Sequence, residues 1–180
     1  TLGTGVGGGV IVNGQPLTGA HGAGGEIGHL CVNYEETDSC GCGKQGCLEQ
    51  YASATGIARL AKKRLAKDDK ASLLREVEKL DAKAVFDALK EGDRLSEEIV
   101  EEFGSYLGHA MANLAMSDSK KKEYDVIVIG GGVSKAGDIL LSYVEKYFVE
   151  RAFFANKETK FVLAELGNDA GICGAAKLIL

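Results

Sequence analysis

The sequence predicts an α/β domain, a mixed sheet flanked by helices with a cysteine-rich loop inserted, and three observations carry that prediction. Within a strand expected over 124–129, Val126-Ile127-Val128-Ile129 form an unbroken apolar run, the pattern of a strand buried on both faces in a parallel sheet. Near the start, apolar segments flank Asn13-Gly14, and that dipeptide is the strongest short hairpin signal. Between these two regions lie helical segments with polar caps and apolar stripes of the right period.

The elements follow in order. Residues 2–17 read as two short strands, a glycine-rich one over 3–9 and Val10-Ile11-Val12, with the turn at Asn13-Gly14. Five glycines between 3 and 9 strip side chains from the backbone, so that N–H groups can approach an anion; a glycine-rich turn with no ligand fits the same pattern. Residues 22–25 form a loop, Glu26-Ile27-Gly28-His29 follows, and Leu30-Cys31-Val32 reads as a short strand. After Cys47 the pattern turns helical: Leu48, Tyr51 and Ala52 make one turn. Ser53 then caps a helix to about Lys67, with Ile57, Leu60, Ala61 and Leu65 on its apolar face. Asp81 caps a short helix through Lys90, and Asp93 a long one to about Ser117. The stripe of Leu95, Ile99, Val100, Phe103, Leu107, Met111 and Leu114 along it is core packing. The strand at 125–129 ends in Gly130-Gly131-Gly132, a helix runs from about Gly137 to Arg151, and a last strand spans 161–164. Asn168 and Asp169 read as caps of a terminal helix through Leu180, with no chemistry assigned to them.

Composition bounds the function. With 180 residues, 45% apolar and 26% charged, the chain is one ordinary globular domain able to bury a core without staples. A net charge of −5 and a pI near 5.3 argue against a nucleic-acid surface, which needs concentrated positive charge. No apolar run approaches the ~20 residues of a membrane span, and no signal-peptide pattern opens the chain, so the cytoplasm is the expected location. The first residues, Thr-Leu-Gly-Thr-Gly, lack an initiator Met and already lie within a predicted strand. The chain is therefore expected to be a piece of a longer polypeptide.

The stretch richest in chemistry runs from Glu26 to Glu49. His29, a ten-residue gap, then Cys40, Cys42 and Cys47 provide an imidazole and three thiolates. That donor set suits one tetrahedral structural zinc, with glycines at 41, 43 and 46 letting the loop at 29–47 curl around an ion. The same cysteines could pair as disulfides or fill a core with no metal. The odd total of five cysteines does not suit a closed disulfide framework. Glu26 and Glu49 flank the ligands, so the loop reads as a metal-pinned platform presenting carboxylates to a small hydrophilic molecule. Taken singly, each has a plainer reading: Glu26 as a solvated charge, His29 as a core histidine, Glu49 as a favourable charge at a helix N-terminus.

Gly-Glu-Ile-Gly-His at 25–29 followed by Cys-Gly-Cys-Gly-Lys-Gln-Gly-Cys-Leu-Glu at 40–49 resembles the ROK family of sugar kinases and repressors, and within it the bacterial glucokinases. The likeness covers essentially the whole chain. It implies the C-terminal lobe of an actin-like, hexokinase-type ATPase fold (ribonuclease H-like), with the zinc loop inserted. By the same resemblance Glu26, His29 and Glu49 contact the sugar hydroxyls, while Thr4 and Gly5 touch the terminal phosphates of the nucleotide. Gly131 and Gly132 would let the adenosine lie against the backbone. No carboxylate here matches the family's catalytic base, which is expected in an N-terminal lobe absent from these residues, so residues 1–180 alone are expected to be inactive.

The implied activity of the complete protein is ATP-dependent phosphorylation of glucose at the 6-hydroxyl, with Mg²⁺ on the nucleotide and a structural Zn²⁺. Glucose and ATP are the expected partners, and a homodimer or tetramer the expected assembly. Two alternatives stay open: a sugar-sensing ROK repressor, and a ROK kinase for another hexose or for N-acetylmannosamine.

Overall fold

The computed structural model describes residues 1–115, 126–167 and 169–177. Four short strands and six α-helices follow in the order β1 (Ile11–Val12), β2 (Gln15–Pro16), α1 (Glu49–Ala52), α2 (Ala54–Leu65), α3 (Ala82–Lys90), α4 (Arg94–Leu114), β3 (Val126–Ile129), α5 (Asp138–Arg151), β4 (Lys160–Leu163) and α6 (Asp169–Lys177).

The three predicted caps close their helices. The Ser53 hydroxyl accepts the Gly56 amide, Asp81 accepts Ala84 and Asp93 accepts Ser96, each satisfying one of the amide donors a helix start leaves free. Asp93 does more than the pattern implied. Its second oxygen accepts the Leu73 amide at 2.7 Å while Ser72 donates to the first at 3.0 Å, so one buried carboxylate starts α4 and fixes a 3₁₀ turn at Leu73–Arg75. Burial opposes its charge, but the amides of Ser96 and Leu73 outweigh that and hold its pKa below the ordinary aspartate range.

α4 is the axis of the core. Its predicted stripe is buried from Leu95 to Met111, and only Leu114, in the last turn, is 36% exposed. α5 crosses it where Gly104 and Gly108 bring no side chains: a Cβ at Gly108 would stand 2.6 Å from the Val144 carbonyl oxygen and 2.8 Å from the Phe148 nitrogen. Backbones can approach this closely only where a Cβ is missing. The α4 helix ends with Ala115 as its cap, and Ser117 lies outside the described residues.

The sheet departs from expectation in two ways. First, the described strands form two separate pairs, β1 with β2 antiparallel and β3 with β4 parallel, instead of one mixed sheet. The Asn13-Gly14 hairpin forms as predicted, with Asn13 at φ 52° and Gly14 at φ 76°. The glycine-rich strand expected over 3–9 does not: the chain folds back between Leu2 and Val6, which share a single bridge. Glycine offers no side chain to pack against neighbouring strands and loses the most conformational freedom on being extended, and Gly3, Thr4 and Val6 bond to Ala54, Thr55 and Glu49 instead. The strand expected at 30–32 is likewise one bridge, between Cys31 and Cys47.

Second, β3 is buried on one face only. Ile129 is buried and Ile127 half-buried, facing α5, whereas Val126 and Val128 are 51% and 57% exposed. Its parallel register with β4 pairs Ile127 with Phe161, and Phe161 stacks edge-on against Phe148 of α5 at 5.0 Å. Among the described residues no element covers the other face. Asp125 and the predicted cap Asn168 lie outside the described residues. α6 starts at Asp169 and buries none of its residues. No helix among the described residues is long and apolar enough to cross a membrane.

Candidate functional site

The predicted metal ligands converge. His29, Cys40, Cys42 and Cys47 each offer one atom, and these atoms lie within 4.8 Å of one another. Cys40 Sγ is 3.8 Å from His29 Nδ1, and Cys42 Sγ is 3.6 Å from Cys47 Sγ. All five cysteines are free thiols, so the disulfide alternative has no pair in the fold. Burial, followed by the neighbouring Cys42 and Cys40 thiols, pushes the Cys47 thiol up to about 12. Three thiols this close cannot all ionise together unless a cation takes up their charge. The donor set and its crowding therefore fit a Cys₃His metal centre.

The loop is tied down by more than its cysteines. Leu48 donates its amide to Leu30, and Cys47 donates to the Gln50 side chain at 3.0 Å. Glu36, with a side chain only 7% exposed, gathers the Tyr51 hydroxyl at 2.6 Å, Lys63 at 3.3 Å, the amides of Thr37 and Asp38, and the Arg59 guanidinium. Arg59 and Lys63 also bond Asp38, at 2.7 and 2.6 Å. Burial works against the Glu36 charge, yet the Tyr51 hydroxyl, the Asp38 amide and Arg59 hold its carboxyl far below the ordinary range. This clamp fastens the metal loop to α2. In the sequence it shows only as scattered loop acids and basic helix residues, with no spacing that pairs them.

Of the three predicted sugar contacts, the structure places two at the cluster. Glu49 Oε1 is 3.8 Å from Cys40 Sγ, and His29 is one of the four candidate ligands. The Glu26 side chain is exposed and bonds to nothing among the described residues; it precedes a 3₁₀ turn at Ile27–His29, three residues from the imidazole. Glu49 does stand in the first turn of α1, as its plain reading has it, and its Oε2 in addition accepts the Val6 amide at 3.1 Å.

The predicted nucleotide residues gather round a second feature, a cavity of about 570 Å³. Thr4 and Gly132 both line it, together with Thr55, Leu80, Phe86 and Val133. Gly5 and Gly131 do not line it; Gly5 lies against Glu49 and Gly131 against Leu2. Gly131, at φ 92°, packs so closely on Leu2 that a Cβ would meet the Leu2 carbonyl oxygen at 2.6 Å. Leu2 donates to Gly130 and accepts from Val133, which joins the two glycine turns into one wall. Lys90 and Lys135 reach the rim with no acidic partner among the described residues, whereas Lys83 pairs with Asp87 and Lys79 with Asp81. An apolar hollow with a few polar groups and unpaired cations at its edge suits a flat, anionic ligand. Lys90 and the apolar wall from α3 carried no motif, since they lie far from the glycines in sequence.

The ROK family model matches residues 1–180. A glucokinase of Halalkalibacterium halodurans is 45% identical over 99% of this chain and 54% of its own length. An N-acetylmannosamine kinase of Escherichia fergusonii is 33% identical over 99% of the chain and 54% of its length. A xylose repressor of Caldicellulosiruptor bescii is 27% identical over the whole chain and 45% of its length. Among solved structures, a ROK family glucokinase from Streptomyces griseus, in complex with glucose and AMPPNP, superposes with a TM-score of 0.82 at 33% identity, over 98% of this chain and 58% of that one. The chain thus spans about half the length of the curated relatives it matches.

Proposed function

Since the chain belongs to the ROK family, we propose that residues 1–180 form the C-terminal lobe of a two-lobe sugar kinase whose complete polypeptide phosphorylates glucose with ATP. The observation that carries the reading is the continuity of residues 40–55. They run from the Cys/His cluster through Glu49 to the start of α2, which bonds the Thr4-Gly5 turn at the mouth of the cavity. One short segment therefore serves both a candidate sugar site and a candidate phosphate site, as direct transfer between two bound substrates requires.

In this reading Glu49, Glu26 and His29 fix the hexose. A carboxylate accepts hydrogen bonds from vicinal hydroxyls, and such charge-assisted bonds are the strong ones. Zinc held by Cys40, Cys42, Cys47 and one ring nitrogen of His29 would set the imidazole tautomer and leave the other nitrogen for the sugar. Thr4 and the turn at Gly5 meet the terminal phosphates, and the nucleoside lies in the cavity against Gly132, Leu80 and Phe86. Mg²⁺ brought in with the nucleotide would supply neutralisation of the charge on its phosphates. The zinc is structural: it orders the loop and takes no part in bond making. The base that accepts the 6-hydroxyl proton comes from the other lobe, so these residues alone turn over nothing.

A coupled ADP-release assay on the complete polypeptide across glucose, mannose and N-acetylmannosamine tests this. Fastest turnover with glucose supports the reading, and fastest turnover with N-acetylmannosamine replaces the substrate while keeping the lobe assignment. The xylose repressor relative supports a second reading, a sugar sensor. Sugar binding with no ADP release from any of the three would favour it.

A further inference from the structure

Resting on that reading, we propose that Glu49 is a positioning residue for the nucleotide turn as well as a sugar ligand, so that one carboxylate couples the two substrate sites. Its two oxygens face different ways. Oε1 lies 3.8 Å from Cys40 Sγ at the edge of the cluster, and Oε2 accepts the Val6 amide at 3.1 Å. The latter contact is made possible by an empty side-chain position: a Cβ on Gly5 would stand 2.1 Å from Oε2. The carboxylate fills the space that any other residue at position 5 would need.

The turn itself is held from the same side. Ala54 donates its amide to the Gly3 carbonyl at 2.8 Å, and the Thr55 hydroxyl donates to the Thr4 carbonyl at 2.6 Å. Thr55 is further fixed by the Ser53 hydroxyl at 2.9 Å. Three anchors within seven positions, Glu49, Ala54 and Thr55, thus hold residues 3–6, and Glu49 alone among them also reaches the sugar side. A hydroxyl that engages Oε1 restricts rotation of the carboxylate and steadies Oε2 on Val6. A phosphate drawn to the turn steadies Val6 and so presents Oε1. Such coupling is reciprocal by thermodynamic necessity.

The test uses the zinc-loaded complete polypeptide and calorimetric titrations with one ligand at a time. Gly5→Ala lies in the nucleotide turn at a backbone conformation that alanine tolerates, and its methyl group displaces the Glu49 carboxylate. Glucose Kd measured without nucleotide is expected to rise about tenfold, the loss of one charge-assisted bond. In a Glu49→Ala background, where no carboxylate remains to be displaced, Gly5→Ala should leave glucose Kd where Glu49→Ala alone puts it. Glu49→Ala should also weaken AMPPNP about fivefold in the absence of sugar, which covers the case in which Gly5→Ala fails to fold. A protein that binds both ligands, with glucose Kd indifferent to Gly5→Ala or AMPPNP Kd indifferent to Glu49→Ala, overturns the coupling and leaves the kinase reading standing. A wild-type protein that binds neither ligand removes both.

Discussion

Two regions of the molecule are held together by opposite means. Around the cluster, the loop at 29–47 relies on polar contacts: four metal-ligand candidates, a carboxylate gathering five donors, and loop amides returned to side chains. At the far end, β3 and β4 rely on apolar packing against α5, and only on one face. Val126, Val128 and Val162 are open on the other, and Ile172 of α6 is 72% exposed. The loop has too few large apolar side chains to bury itself, so it is pinned by directional bonds. The sheet end has apolar side chains in excess of what the described residues cover. Directional pinning keeps ligand atoms in register, while the sheet needs only area. The candidate metal cluster therefore lies in the polar region, whereas the cavity beside Thr4 and Gly132 is walled by apolar side chains such as Leu80 and Phe86.

Removing the pins should give the largest effect. Stripping the metal from the complete, zinc-loaded protein with a strong chelator is expected to open residues 30–47 to proteolysis and to abolish glucose binding, because the folding energy of such a loop comes from its ion. Elemental analysis should find one zinc per chain beforehand. Cys47→Ser, at the fully buried ligand, should reproduce the loss. A chain that resists protease equally with and without metal would break the contrast between the two regions.

On the apolar side, Phe148→Ala removes a fully buried ring that packs on Phe161. A large-to-small change in such a core costs about 3–5 kcal/mol, readable as a fall in the urea midpoint. The zinc content of the folded fraction should not change, since Phe148 contacts none of the ligands.

What could be read beforehand follows the same division. Local signals were legible: the caps at Ser53, Asp81 and Asp93, the Asn13-Gly14 hairpin and the four candidate ligands all depend on residues close together in the chain. Contacts made across the fold were not. Nothing in the spacing of Glu36 and Arg59 pairs them across 23 positions. Nor does Val128 in an apolar run reveal that one face of its strand lies open, because an unbroken apolar pattern states that a face can be buried and not what buries it. Glu49 was placed by its neighbours in sequence, but its bond to Val6 spans 43 positions and needed the fold.

A smaller effect separates the clamp from the metal. Glu36→Gln keeps the shape and removes the charge that Arg59 and Lys63 share, at a cost of about 1–3 kcal/mol. Its pH dependence gives the sign. The Glu36 carboxyl is held below its ordinary value of 4.5 in the folded chain, so its contribution is complete above that value and declines as pH falls towards the folded one. The melting-temperature gap between wild type and Glu36→Gln should therefore be constant from pH 7 to about 5 and narrow steadily below 4.5. Acid also strips the metal, but it does so from both proteins, and the gap between them isolates the carboxylate. No gap even at pH 7 would mean that Glu36 acts through shape alone.

The smallest change is expected where the sheet is open. Val128→Thr on residues 1–180 swaps a methyl group for a hydroxyl at a site that is 57% exposed. Away from special features such surface substitutions shift stability by no more than about 0.5 kcal/mol, and threonine keeps the β-branched shape that strands favour. The same substitution in the complete polypeptide sharpens the comparison. If the proposed second lobe or its connecting segments lie against this face, the hydroxyl is buried without a partner there and the cost rises to about 1–3 kcal/mol. Equal, negligible shifts in both proteins would mean that the face is open to solvent in the whole molecule. Its valines would then serve the strand's conformation and not an interface.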